Sequence, residues 1–115
     1  MIDRECVIDD EHLERITLSD RDLEREILQI FVRQAAIMIG RIAGSDPAVA
    51  AAAAHTLKGS ARGIGAWRVA LAADRIERAS QEGSFETLNA AITDLKAASL
   101  EASAAIGTRL ARKTQ

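Results

Sequence analysis

The sequence is short of several residue types that anchor other kinds of small protein. Its 115 residues include one cysteine, Cys6, one proline, Pro47, no tyrosine, and an aromatic share of 3% carried by Phe31, Trp67 and Phe85. A single cysteine excludes an internal disulfide framework and suits a reducing cytoplasm, the expected compartment. The two histidines, His12 and His55, are far apart and form no Glu-x-x-His pair, so no metal site and no intrinsic cofactor are expected. Neither sign of charge prevails: 15 Lys and Arg against 17 Asp and Glu give a formal net charge of -2, which leaves no nucleic-acid footprint. No apolar run reaches bilayer length and no signal-peptide pattern opens the chain, so no membrane association is expected. A glycine-rich phosphate loop is missing too. Gly63 and Gly65 bracket one residue after a helical stretch, which reads as a turn and not as a nucleotide cradle.

What is present is alanine and aliphatic side chain. With 48% of residues hydrophobic and few aromatics, packed helices are favoured over a sheet. The length suits one hydrophobic core. No internal repeat or linker divides it, so residues 1–115 are expected to form a single domain. The expected fold class is all-α: an antiparallel up-down-up-down four-helix bundle with a short extra N-terminal helix.

The start signals place the elements. Met1 to Val7 reads as an extended start, and Asp9 or Asp10 caps a helix over about 10–16, with Leu13 and Ile16 inward and His12 on the surface without a special role. Ser19 opens a helix over about 20–43, ended by Gly44, with Asp20 and Asp22 near its positive end. Leu23, Ile27, Phe31, Met38 and Ile42 form its central stripe. Ile30 and Ile37 widen the stripe on one side, and Leu28, Val32 and Ile39 on the other. That apolar sector exceeds what a half-buried helix needs, so either a central helix buries all of it or one flank stays exposed as a docking patch, for which Ile30, Gln34 and Ile37 are the candidates. Asp46-Pro47 is a cap followed by a proline at the first helical position, starting a helix over about 47–62 that Gly63-Ile64-Gly65 breaks. A fourth helix over about 66–81 has Trp67 as a packing anchor and ends at Gly83. Ser84 caps a fifth over about 85–112. There Phe85, Leu88, Ile92, Leu95, Ser99, Ala102 and Ile106 follow the alternating steps of a bundle seam, and Arg109, Arg112 and Lys113 suit its negative end.

The third of these helices carries the chemistry. At about 100° per residue, Ala50, Ala53, Leu57, Ser60 and Ile64 lie opposite His55, while Ala48, Ala51, Ala52, Lys58, Gly59 and Arg62 surround it. The bulky apolar residues mark the core side, so His55 points to solvent among the smallest side chains available. Gly59 sits there although glycine costs about 1 kcal/mol of helix propensity relative to alanine. An exposed imidazole is a nucleophile, and Lys58 and Arg62 supply charge and donors for phosphoryl oxygens. An alanine-rich helix with one incidental surface histidine fits the periodicity equally well.

The residues themselves are more specific. His55, Leu57, Lys58, Gly59 and Ser60, followed by Gly65-Ala66, resemble the His-x-x-Lys-Gly-Ser signature and Gly-Ala pair of histidine-containing phosphotransfer (HPt) domains. The resemblance runs from Leu13 to the last helix, with motif specificity confined to the segment around His55. It implies a phosphotransfer protein in which His55 exchanges a phosphoryl group with aspartates of receiver domains in a multistep two-component relay. The implied partners are response-regulator receivers and a hybrid histidine kinase, with magnesium held in the receiver's acidic pocket. It also implies an apolar surface beside the histidine that accepts the receiver.

Within that reading Lys58 stabilises the phosphoryl oxygens and Gly59 keeps the approach open. Ala51 and Ala52 present a flat surface to the partner, and Arg62 meets the phosphate or the receiver. Ser60 faces inward, towards a backbone carbonyl. One ring nitrogen needs a partner that fixes the tautomer. Glu77 is one candidate, as in some chemotaxis-type members. Asp74 competes with it, and a solvated Glu77 paired with Arg78 is a third arrangement. The chain is expected to be a free-standing monomer without kinase activity of its own. A non-catalytic helical adaptor that binds receivers and is never phosphorylated is the alternative.

Overall fold

A computed structural model describes residues 7–44 and 46–113, with the side chain of Lys113 excepted. Of the extended start expected over Met1 to Val7, residues 1–6 lie outside the described residues. Five helices follow in order: α1 Asp10–Thr17, α2 Arg21–Ile42, α3 Pro47–Ile64, α4 Trp67–Glu82 and α5 Phe85–Lys113. Among the described residues there is no strand.

Polar caps set the starts. Asp9, Asp20 and Asp46 each accept a backbone N–H from the residue three positions on, at 3.0, 3.1 and 3.0 Å. At α5 the Ser84 hydroxyl accepts the N–H of Thr87 at 3.2 Å. These bonds satisfy donors that the first helical turn leaves open. The expected cap of α2 moves by one residue. Ser19 adopts a left-handed backbone at φ 61 and hands its N–H to Glu14 O, so Asp20 does the capping.

The end of α3 also differs from expectation. The helix runs through Gly63 to Ile64 and stops at Gly65, φ 82, where the N–H of Ala66 returns to Ala61 O at 2.8 Å. This is the backbone of a Schellman stop, which needs a left-handed residue and therefore favours glycine. Gly63 is tolerated inside the helix because glycine lowers helix propensity without forbidding it. At Gly65 a Cβ would lie 3.0 Å from that of Asp9 and 3.2 Å from the His12 ring, so α1 closes against this turn.

One continuous core takes Leu13 from α1, Leu28 and Phe31 from α2, Leu57 from α3, Ile76 from α4, and Leu95 and Ile106 from α5. α2 packs on α3, α3 on α4, α4 on α5, and α5 returns to α2, while α1 touches α2 and α3. The most extensive packing is between α3 and α4. There the buried residues are mostly alanine: Ala50, Ala53, Ala54 and Ala61 on one helix, and Ala70, Ala72, Ala73 and Ala79 on the other. Small side chains let two helix backbones approach, which brings the polar edges of α3 and α4 within ion-pair reach.

Three residues expected inside are outside. Ile16 is 42% exposed and its neighbour Thr17 is buried instead, its hydroxyl satisfied by Leu13 O at 2.8 Å. Leu23 is 39% exposed while Glu24 goes inward to an arginine of α5. Phe85, at the first position of α5, lies beyond the end of the seam and is 76% exposed.

Candidate functional site: an exposed histidine on a carboxylate and ammonium chain

The alanine-lined contact of α3 with α4 aligns His55 and Lys58 with Asp74 and Glu77. His55 Nδ1 is 3.0 Å from Glu77 Oε2, and 71% of the imidazole side chain remains exposed. A carboxylate can only accept here, so the neutral ring carries its proton on Nδ1 and its lone pair on Nε2. Of the two candidates for the ring's partner, Glu77 occupies the position. Asp74 contacts Lys58 instead, and Arg78 Nε donates to Asp74 Oδ2 at 3.0 Å.

Lys58 ties the two acids together. Its Nζ lies 2.6 Å from Glu77 Oε1 and 3.2 Å from Asp74 Oδ1, with only 14% of the side chain exposed. Partial burial pushes the Glu77 carboxyl up, but hydrogen bonds from Lys58 and His55 outweigh it and hold the group below its ordinary value. The Lys58 bond lowers Asp74 as well, with help from the charges of Arg78 and Arg62. Lys58 is raised in turn, first by Glu77 and then by Asp74. Both acids are thus carboxylates and Lys58 an ammonium through the neutral range.

The other expected residues separate into two groups. Beside His55, Ala52 is exposed and Ala51 half-buried. Gly59 is exposed, and a Cβ added there would meet nothing within 4 Å. No packing among the described residues therefore requires glycine at 59. Arg62 is exposed on the same side, and its charge reaches Asp74. On the α2 side Ile30 and Ile37 are 39% and 53% exposed. Ile30 and Gln34 help line a shallow cleft of about 200 Å³ with Ile27, Phe31, Ser60 and Ile64. The Ser60 hydroxyl donates to Gln34 Oε1 at 3.4 Å, not to a backbone carbonyl as expected, because its half-buried position faces α2.

Residues 26–105, more than half of the chain, match the Hpt domain family. The chain belongs to that family. Two solved structures share the Hpt fold with it. The histidine phosphotransferase ShpA from Caulobacter crescentus superposes with a TM-score of 0.68 at 29% identity, over 96% of this chain and 100% of its own. A protein from rice assigned as a histidine-containing phosphotransfer protein gives a TM-score of 0.80 at 19% identity, over 90% of this chain and 79% of its own. No curated protein sequence matches the chain.

Two features of this Hpt domain escaped the sequence reading. His12 has a role after all: its Nε2 donates to Gly63 O at 3.0 Å, and its ring meets Trp67 edge-on at 5.1 Å between centroids. Trp67 Nε1 donates to Asp9 Oδ2 at 2.9 Å, and this bond, with the His12 N–H, lowers the Asp9 carboxyl. The tryptophan is a polar clasp on α1, 39% exposed, more than an apolar anchor. Its only local signal was its place two residues after the Gly65 stop. The second feature is Arg109, read as a tail residue. Its Nε and Nη2 donate to both oxygens of Glu24 at 2.9 and 3.0 Å, and Nη1 contacts Asp10. The hydrogen bonds to Glu24 raise its pKa further.

Among the described residues no group of His, Cys, Asp and Glu could hold a metal ion, and no helix is long and apolar enough to cross a membrane.

Proposed function

We propose that the chain relays a phosphoryl group between His55 and receiver-domain aspartates in a multistep two-component phosphorelay. The observation that carries this is the exposed imidazole with Glu77 Oε2 3.0 Å from Nδ1. That bond aims the lone pair of Nε2 at solvent and prepares the ring for the charge it acquires.

The chemistry follows from that tautomer. The Nε2 pair attacks the phosphorus of the receiver's aspartyl phosphate, the Nε2–P bond forms, and the P–O bond to the aspartate breaks, returning a carboxylate. With Nδ1 still protonated the ring becomes an imidazolium, which Glu77 stabilises at hydrogen-bond distance. Donation is the reverse: the Nε2–P bond breaks, its pair returns to a neutral imidazole, and a receiver carboxylate oxygen takes the phosphorus. Magnesium, which neutralises charge on the transferring group, belongs in the receiver's acidic pocket. Lys58 and Arg62 are the cations of this chain nearest the task. Gly59, Ala51 and Ala52 leave room for the partner, and the flank of Ile30, Gln34 and Ile37 is the docking surface.

The closed cycle of contacts among α2, α3, α4 and α5 supports reading them as an antiparallel up-down-up-down bundle with α1 across one end. We take residues 1–115 as one domain, acting as a monomer in the cytoplasm with a hybrid histidine kinase and response regulators as partners.

Phosphate transfer from a labelled receiver to wild type and to His55→Gln tests the reading. Acid-labile, alkali-stable label on wild type alone supports it. Label on neither, across a panel of receivers that still bind, overturns it and leaves a non-phosphorylated adaptor.

A further inference from the structure

The Lys58 ammonium is already engaged by two carboxylates of its own chain. It is held on the Glu77 side of the imidazole, 2.6 Å from one carboxylate and 3.2 Å from another. Glu77 reaches the ring at Nδ1, the nitrogen that is not the nucleophile. Asp74 completes the hold and is itself fixed from behind by Arg78 at 3.0 Å. The ring's partner is Glu77, so a second acid one helical turn away is not needed to set the tautomer. Its contact is with the lysine.

We infer that Asp74 is a positioning residue that keeps the Lys58 ammonium against Glu77, in competition with a phosphoryl group on His55, and so keeps the phosphohistidine ready to discharge. The inference rests on His55 as the phosphorylated residue. Before transfer the phosphoryl oxygens carry their full charge. In the loose transition state of phosphoryl transfer that charge is dispersed. An ammonium free to sit on those oxygens therefore lowers the phosphohistidine more than it lowers the transition state, and the group stays longer. Asp74 withholds the ammonium. In the discharge to water the Nε2–P bond breaks with its pair returning to Nε2, the water oxygen bonds to phosphorus, and both water protons leave with orthophosphate. The ring ends neutral with its proton on Nδ1.

Charging with phosphoramidate, a small phosphodonor that needs no partner, followed by ³¹P NMR, reads the lifetime directly. Wild type, Asp74→Asn, Lys58→Met and the double variant are compared at one pH, after thermal melts confirm that each is folded. Phosphohistidine in Asp74→Asn should last about threefold longer than in wild type, the scale of one partly exposed ion pair. Lys58→Met and the double variant should decay at the same rate, since Asp74 acts only through the lysine. A lifetime in Asp74→Asn equal to or shorter than wild type overturns the inference. So does a prolongation that persists without Lys58, which would assign the effect to local charge in general. If His55 takes phosphate from phosphoramidate yet exchanges none with any receiver, the relay reading fails while the Asp74 comparison still stands or falls on its own lifetimes.

Discussion

The molecule contains two clusters of opposite charges, built from similar residues and put to different use. At one, Arg109 forks both oxygens of Glu24, with side-chain exposures of 13% and 5%. At the other, Lys58 bridges Glu77 and Asp74 beneath an imidazole that is 71% exposed. In the first, desolvation makes the partners depend on each other, and removing one strands the other in a low-dielectric setting. In the second, Lys58 is covered as well as Arg109 is, but its acids are more exposed than Glu24 and the cluster abuts an open ring, so its charges act on the imidazole. Similar cover of the cation thus serves structure where the acid is buried, and chemistry where the acid meets an exposed ring.

Substitution should separate the two most clearly at Arg109. Arg109→Met is expected to destabilise the fold by about 2–3 kcal/mol, below the full cost of breaking a buried pair because the Asp10 side is open. Denaturant unfolding measures this, and a loss under about 0.5 kcal/mol would break the contrast. Glu77→Gln is expected to leave the melting curve nearly in place while slowing phosphorylation of His55 about tenfold, the usual scale for losing an orienting partner. Rapid-quench transfer from a phosphorylated receiver checks it. Trp67→Phe, which cuts the clasp on Asp9 and keeps the ring contact with His12, should cost about 0.5–1 kcal/mol of stability with no change in transfer rate. Ser60→Ala, which removes only the long bond to Gln34, should stay within about 0.5 kcal/mol of wild type.

Acid sharpens the comparison further. Asp9 and Glu77 both have carboxyls lowered in the folded chain. Their stabilisation is complete above the unfolded-state values and is lost as pH falls through the lower folded-state values. Stability measured by equilibrium unfolding should therefore fall below about pH 4. The pairing of Glu77 should weaken with added salt more than that of Glu24, because Glu77 is the more exposed of the two acids. Equal salt sensitivity of the two would remove the distinction.

How far these clusters were legible in the sequence depends on the range of the signal. The stop at Gly65, the cap at Asp46 and the face of α3 opposite His55 follow from local rules over a few residues. The end of α3 was placed two residues early because Gly63 and Gly65 are the same residue type, and only Gly65 sits against α1 in a left-handed backbone. Ile16 and Leu23 were misplaced for a related reason. Helical periodicity assigns an apolar stripe but not its rotation towards neighbours, and the presence of α5 turned Glu24 inward. Of the two flanks of α2, Ile30 and Ile37 stay exposed, whereas Val32 and Ile39 are half-buried towards α5. The partners of His12, Trp67 and Arg109 lie 51, 58 and 85 residues away and left no local trace.

By itself the sequence determined the helices, the caps at Asp46 and Ser84, the outward histidine and the motif of the family, because each depends on backbone propensity and on spacing within a turn or two. Only the tertiary structure decided which acid meets Nδ1, that Lys58 is held between two carboxylates, and which arginine is buried. Those outcomes depend on how closely α3 approaches α4 and on the rotation of α2 against α5, and both are set by packing between segments distant in the chain.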